Sequence, residues 1–358
     1  SKSYYYIQAG ALRDLRSLMT PADRDDLESF FPVTRGPFQR EGAVYGLPWG
    51  YVPFVVFYNR NLFQKYAVPY PREGWTWDDY RRAALALTHD LDGDGITDEF
   101  GASFAQWQEG YYCWIYQNGG RVLTAAGEPN FDDPRVVEAV DFLRRLTRED
   151  RVIPTEANKP RQTGMGLFEA GRLGMNGPTG SFYIPTYRTY ERVDWDIADV
   201  PAGPSGRGTM VAPLAFGVTT QSRHPREAWE LVRFLCGEEG QRLLADSGLF
   251  VPARRSVALS PEFLRAEGLP RNRYALVSML DDRDGRKPWG IVPPWQGDRW
   301  QDVNDEALND KLGPYLFGAR RSETPAQVCA AIQQRARQIT MEARAARRGT
   351  PVAWGLAW

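Results

Sequence analysis

Four segments of the chain carry apolar residues at the three- and four-residue spacing of an amphipathic helix. They follow residues that favour a helix start, namely Thr76, Pro134, Pro225 and Thr324. Gly237 lies near the middle of the third segment, which predicts one long helix or two short ones. The intervening runs FVVFYN, RLGMNG, DWDIADV and LAFGVTT are short, apolar and bounded by Gly, Pro or Asn, which predicts strands. Strands that alternate with helices predict an α/β protein.

The longest uncharged stretch covers residues 42–59 and ends in YGLPWGYVPFVVFYN. It is as long as a short membrane span, but Pro48, Pro53 and repeated glycines would break a lone helix there. We therefore interpret its second half, FVVFYN, as a buried strand.

The composition argues against several classes of function. The 358 residues suggest two domains or one large one. A net charge of −1 gives no overall field that would attract nucleic acid or an anionic membrane. The two histidines, His89 and His224, are far apart, which argues against a His-based catalytic triad or a zinc site built from several histidines. The cysteines are widely spaced without a CxxC motif, and we expect small buried thiols at Cys113, Cys236 and Cys329.

An acidic stretch, DLDGDGITDEFG, has the spacing of a calcium-binding loop. Its candidate ligands are Asp90, Asp92, Asp94, the carbonyl group of Ile96, and Asp98. Gly95 stands at the sixth position, where such a loop turns sharply, but the twelfth position is Gly101 and the usual bidentate acid is missing. We predict a structural Ca²⁺ site, and the alternative is an Asx-rich turn without a metal.

Twelve tryptophans make the chain rich in aromatic residues. Many rings fall in four clusters: GLPWGY, QWQEGYYCWIYQNGG, TGSFYIPTY and PPWQGDRWQD. Each cluster is flanked by Gly, Pro, Gln, Asn or Asp, which predicts loops or element ends. Rings at such places can stack on sugar faces while nearby amides and carboxylates bind hydroxyl groups. The alternative for any single ring is ordinary core packing.

Carboxylates next to these rings allow an alternative interpretation, in which the protein is an enzyme. Glu41, Glu109 and Asp298 could supply the acid/base pair of a carbohydrate-active glycoside hydrolase. The sequence does not place any two of them at a catalytic separation. It also lacks a G-x-S-x-G elbow, a Walker A loop and a Rossmann fingerprint, and we expect no organic cofactor.

An ordered series of motifs resembles the extracellular solute-binding proteins of carbohydrate ABC transporters, the family that includes maltose-binding protein. The series is AGALRDL, VYGLPWGYVPFVVFYNRNLFQKYAV, WTWDDYRRAALALT, DLDGDGITDEFG, WIYQNGG, LFEAGRLGMNGPTGSF, LAFGVTTQSRHPREAWELVRFL and LFVPARRSV. It covers nearly the whole chain, to about Ile339.

The resemblance implies a two-lobe, hinged α/β fold of the periplasmic-binding-protein type (type II). We expect a first lobe from residues 1–102 and 214–292, and a second from 103–213 and 293–358. Relative to the family, the first strand–helix–strand unit and the signal segment are expected to be missing from this chain.

The resemblance also implies function. The protein would capture a sugar or oligosaccharide outside the cytoplasm, close its lobes around it and pass it to permease subunits. It would act as a monomer and perform no chemistry. The implied ligand-binding residues are Trp49, Tyr51, Trp107, Glu109, Tyr111, Phe182, Trp295 and Trp300. A third hypothesis is that the chain is a binding lobe within a sensor or scaffold, in which calcium organises an interaction surface.

Overall fold

The computed structural model describes residues 3–156, 164–283, 287–291, 299–318 and 322–349. The strands are β1 Gln39–Arg40, β2 Ala43–Val44, β3 Leu47–Asn59, β4 Phe100–Ser103, β5 Leu173–Gly180, β6 Trp195–Ala198, β7 Thr209–Phe216, β8 Val251–Pro252 and β9 Gly290–Ile291. The helices of the first half are α1 Ser3–Gln8, α2 Pro21–Asp25, α3 Pro32–Arg35, α4 Arg60–Lys65, α5 Trp77–Ala86, α6 Gln108–Gln117, α7 Pro134–Arg144 and α8 Gly164–Glu169. Those of the second half are α9 Ile184–Tyr187, α10 Pro225–Cys236, α11 Glu238–Ser247, α12 Arg255–Ala258, α13 Pro261–Leu264, α14 Trp300–Asp302, α15 Asp310–Phe317 and α16 Pro325–Gly349. The α/β prediction is confirmed.

The long strand β3 is the centre of the mixed sheet. Its first part pairs antiparallel with β7, from Leu47 opposite Phe216 to Pro53 opposite Val211, and more briefly with β8. Its second part pairs antiparallel with β5 and β6. Strand β4 continues the sheet in parallel beside β5, and β9 lies parallel to β7. The backbone groups of β3 are paired within the sheet along most of its length, and FVVFYN is a buried strand as predicted. The expectation of a loop at GLPWGY is wrong, because residues 47–51 belong to the same strand.

The helices begin where the sequence predicts. Thr76 and Asp79 form a reciprocal capping box at α5, and Asp133 caps α7 through the backbone N–H of Arg135. The third predicted segment forms two helices, α10 and α11, separated by Gly237. Helix α11 ends at Gly248, whose positive φ of 67° favours glycine.

The buried side chains form three clusters. One cluster contains residues of α5, β4, α6, α7, α15 and α16. A second surrounds β6 and α9, and a third packs α10 against the start of β3. Polar contacts and rings at the border of the first cluster form the candidate site described below. The assignment of chain segments to two lobes stays a prediction.

Two further expectations concern single features. All three cysteines are buried free thiols. In the described part of the chain, no helix combines the length and the apolar composition that crossing a bilayer requires.

Candidate functional site

The first turn of α6 carries a carboxylate that is withdrawn from solvent. Trp107 is the N-cap residue with extended backbone angles, and the helix begins at Gln108. The turn into the helix is tight, because a Cβ atom at Gly110 would lie 1.9 Å from the carbonyl oxygen of Ala105. The Oε2 atom of Glu109 is buried and lacks a hydrogen-bond partner among the described residues. Burial raises the pKa of the Glu109 carboxyl above its ordinary value.

A π-helical turn, Val303–Asn309, packs against the start of α6. The Nδ2 atom of Asn309 donates to Oε1 of Gln108 at 2.8 Å, and the hydroxyl group of Tyr112 donates to Oδ1 of Asn304. The second amide atoms of both asparagines, Nδ2 of Asn304 and Oδ1 of Asn309, are buried and unpaired within the described ranges. An unpaired buried donor or acceptor costs free energy, and a ligand hydroxyl group would satisfy it.

A ring lies over the end of β5. The chain leaves this strand through a short 3-10 helix, Ser181–Tyr183, and the partly exposed ring of Phe182 packs on Tyr183 with centroids 4.2 Å apart. The Phe182 ring also covers Gly180, where a Cβ atom would lie 2.3 Å from the ring. The glycine therefore allows the Phe182 ring to lie this close to the end of the strand.

A second group of rings surrounds Trp49 in the first part of β3. The Trp49 ring lies 5.0 Å from that of Phe216 and 5.5 Å from that of Phe250, between centroids. Phe250 also borders the first buried cluster, as Trp107 and Phe182 do. Trp107, Phe182 and Phe250 thus pack against a cluster to which α6 and the π-helical turn contribute, and these two elements carry the unpaired polar atoms, whereas Trp49 packs against the third cluster. Such a surface suits a ligand with a flat apolar face and several hydroxyl groups.

Comparison with known proteins agrees with this fold. The sequence profile of the bacterial extracellular solute-binding proteins matches residues 3–242. The chain belongs to this family. An arabinooligosaccharide-binding protein of Bacillus subtilis (strain 168) is 26% identical over 263 residues, which are 68% of this chain and 56% of that protein.

Two solved structures show the same solute-binding-protein fold. An ABC substrate-binding protein from Listeria monocytogenes, in complex with cycloalternan, has a TM-score of 0.81 and 23% identity over 95% of this chain and 82% of that one. A maltose/maltodextrin-binding domain from Bdellovibrio bacteriovorus, bound to maltotriose, has a TM-score of 0.71 and 19% identity over 94% of this chain and 82% of its own. The two-lobe, hinged architecture predicted from the motifs is confirmed.

Three rings that the family resemblance implied as ligand contacts lie in the core of this solute-binding protein. Tyr51 is fully buried, and its hydroxyl group donates to the carbonyl oxygen of Leu276 at 3.0 Å. Tyr111 is fully buried, and Trp300 is buried and stacked on Phe131 with centroids 6.1 Å apart. Direct ligand contact would require these rings to become exposed, and their ligand-binding role stays a prediction. Trp295 lies outside the described residues.

The expectation that the rings of QWQEGYYCWIYQNGG occupy a loop is wrong. Most of the stretch is helix α6, and every residue of that helix except Glu109 is buried. Aromatic and other apolar residues lie on every side of this helix, so the sequence shows no amphipathic pattern that would predict it. Its flanking Gly, Gln and Asn residues resemble those of a loop.

Other members of the candidate site were not found from the sequence. They are Gln108, Phe216, Phe250, Asn304 and Asn309. Phe250 lies in LFVPARRSV, one of the motifs of the family series, which was the available signal for it. The two asparagines gave no signal, because their contacts to α6 cross most of the chain.

The acidic loop brings together part of its predicted ligand set. One carboxylate oxygen each from Asp90, Asp92 and Asp98 lies within 4.8 Å of the others. Asp94 instead accepts a hydrogen bond from the backbone N–H of Ile96 at 2.7 Å. The backbone N–H of Gly95 donates to Asp90, and this bond is the main cause of the lowered pKa of that carboxyl. Three converging carboxylates fit a hard cation such as Ca²⁺, and its binding stays a prediction.

Proposed function

We propose that this solute-binding protein captures a sugar or short oligosaccharide outside the cytoplasm and delivers it to the permease subunits of an ABC transporter. The observation that carries the proposal is the combination of partly exposed rings with the unpaired polar atoms of Glu109, Asn304 and Asn309 around one buried cluster. The oligosaccharides bound by the Listeria and Bdellovibrio proteins support the same ligand class.

In this proposal the rings and the polar atoms have separate tasks. Trp49, Trp107 and Phe182 stack on the C–H faces of the sugar. Glu109 accepts hydrogen bonds from sugar hydroxyl groups. The side-chain amides of Asn304 and Asn309 donate hydrogen bonds to the sugar and accept them from it. A ligand that contacts both lobes favours the closed arrangement, because it binds that arrangement more tightly. The protein acts as a monomer and performs no chemistry.

One observation would favour the alternative of a glycoside hydrolase. The raised pKa of Glu109 is what a general acid needs. Inverting or retaining hydrolysis also needs a second carboxylate across the sugar. Of the two other carboxylates weighed for this role, Glu41 stands in the turn between β1 and β2 with 86% of its side chain exposed, and Asp298 lies outside the described residues.

Isothermal titration calorimetry against a panel of mono- and oligosaccharides tests the proposal. We expect saturable binding of a narrow set of sugars, with affinity reduced about tenfold or more by Phe182→Ala and by Glu109→Gln. Tyr5→Ala, which removes an exposed ring on α1, is the matched control and should leave affinity unchanged. Chromatography of the sugar before and after incubation distinguishes binding from hydrolysis.

Two outcomes would overturn the proposal. If no sugar binds and the chain is folded by circular dichroism, the ligand class is wrong. If the sugar is consumed and Glu109→Gln stops its consumption, the hydrolase is the correct function.

A further inference from the structure

A cavity of about 480 Å³ lies outside the candidate sugar site, among α9, α11, α13 and the segment that leads to Arg273. Arg188 and Arg273 both line it. A narrow cavity beside it shares these two arginines and is also lined by Ser181. The Oγ atom of Ser181 is buried and has no hydrogen-bond partner in the described structure. The volume of the larger cavity is in the range of small-molecule sites.

Arg273 is a buried cation without an acidic partner. Its residue is only 7% exposed, and its Nε atom is buried and unpaired. One bond holds the side chain, from Nη2 to the carbonyl oxygen of Glu267 at 3.1 Å. Burial lowers the pKa of Arg273, and the charge of Arg188 lowers it further. Both arginines line the same two cavities, so two positive charges face one space.

Arg188 is held in place by contacts that also leave its charge uncompensated. Its Nε atom donates to the carbonyl oxygen of Leu269 at 2.7 Å. Its guanidinium group packs on the end of α11, where a Cβ atom at Gly248 would lie 2.5 Å from Nη1. Within the described residues, no ion pair joins either arginine to a carboxylate. Backbone contacts thus orient both side chains while their charges stay unpaired.

The acidic residues of the cavity wall do not neutralise the pair. Hydrogen bonds from its own backbone N–H group and from the Ser260 side chain lower the pKa of the Glu262 carboxyl. Asp246 and Glu267 also line the cavity, but neither approaches Arg188 or Arg273 to within ion-pair distance. The buried charge of Arg273 without a counter-charge, beside the like charge of the exposed Arg188, is unfavourable, and a bound anion would reduce this cost.

We propose that Arg188 and Arg273 form a binding site for the phosphate or carboxylate group of a small molecule. Guanidinium groups present planar forks of N–H donors that match these oxyanions. The unpaired Nε of Arg273 and the Oγ of Ser181 supply further donors beside the fork. The hydroxyl groups of an organic anion would find acceptors in the carboxylates of the wall. The larger cavity shares no lining residue with the candidate sugar site, whereas the narrow cavity is also lined by Phe250. The proposed anion site rests on the two arginines and does not depend on sugar binding.

Calorimetric titration of the full chain with sodium phosphate, and separately with sodium acetate, tests the site. The buffer contains chloride at matched ionic strength, so that a general salt effect contributes no saturable heat. We expect saturable binding of at least one of the two anions, weakened about tenfold or more by Arg188→Gln and by Arg273→Gln. Binding of phosphate alone assigns a phosphate group, and binding of acetate alone assigns a carboxylate group.

Arg233→Gln is the matched control. Arg233 is exposed on α10, is paired with Glu230 and lies outside both cavities, so its loss should not change anion binding. If Arg273→Gln fails to fold, Arg188→Gln still tests the proposal. Arg188 is exposed, so its substitution should not prevent folding. The proposal is overturned if neither anion gives saturable binding to the wild-type chain, or if a folded Arg188→Gln variant binds as tightly as wild type.

Discussion

Gly101 lies so close to Ala84 that a Cβ atom on residue 101 would stand 1.8 Å from the Ala84 carbonyl oxygen. This contact joins the start of β4 to α5. It also explains why the acidic loop has no acid at its twelfth position, because no side chain fits there.

We expect Gly101→Ala to lower the free energy of unfolding by about 3 kcal/mol or more, since backbone must move to admit the methyl group. Urea unfolding measures the change. Gly36→Ala is the control, because a Cβ atom there meets nothing within 4 Å, and we expect a change within about 0.5 kcal/mol. Equal stability of the two variants would contradict the close approach.

Calcium is expected to stabilise the acidic loop. Asp90, Asp92 and Asp98 converge only in the folded chain, so Ca²⁺ binds the native state preferentially and raises the melting temperature of chelator-treated protein. Asp92→Asn should remove this increase, whereas Asp25→Asn, an exposed carboxylate on α2, should retain it. Identical melting curves of the wild-type chain with chelator and with millimolar CaCl₂ would show that the loop is an Asx-rich turn without metal.

Tyr51 is expected to contribute to the stability of the fold and not to ligand binding. Tyr51→Phe removes the hydrogen bond to Leu276, which should cost about 1 kcal/mol in denaturant unfolding. Affinity for the sugar found by calorimetry should stay within about twofold, because the ring has no exposed surface. The control is Tyr5→Phe at an exposed position. A large loss of affinity at unchanged stability would show instead that Tyr51 contacts the ligand.

Glu109 is expected to make stability depend on pH. Its pKa is raised by burial, so between the unfolded value of 4.5 and the native value the folded chain holds a proton that the unfolded chain has released. The contribution of this group to stability is therefore highest below pH 4.5 and falls as pH rises through the native pKa. Melting curves from about pH 4 to 7 should show wild type losing stability relative to Glu109→Gln. Exposed Glu191→Gln should follow wild type, and parallel curves for wild type and Glu109→Gln would contradict the raised pKa.

Local signals in the sequence predicted much of the fold. The capping residues Thr76 and Asp79 are three positions apart, and Gly237 and Gly248 directly follow the ends of α10 and α11. These features depend on neighbouring residues alone, so one sequence is enough to find them.

The polar part of the site could not be predicted in the same way. Gln108 and Asn309 are hydrogen-bonded at a separation of 201 residues. Arg188 and Arg273 line the same two cavities from different segments of the chain. No local pattern encodes such pairs, because tertiary packing brings them together. The rings of α6 gave a misleading signal for a related reason, since a helix buried on every side has no polar face to mark it.

The central position of β3 has a consequence for how the chain folds. The strand pairs with residues far along the sequence on both of its parts, as Val52 does with Ala212, about 160 residues away. Closing loops of that length costs entropy before the new contacts stabilise the chain. Neither part of the sheet can be completed during synthesis until more than half of the chain has emerged. The protein should therefore acquire its native structure slowly and late, which leaves a long interval in which the chain is unfolded.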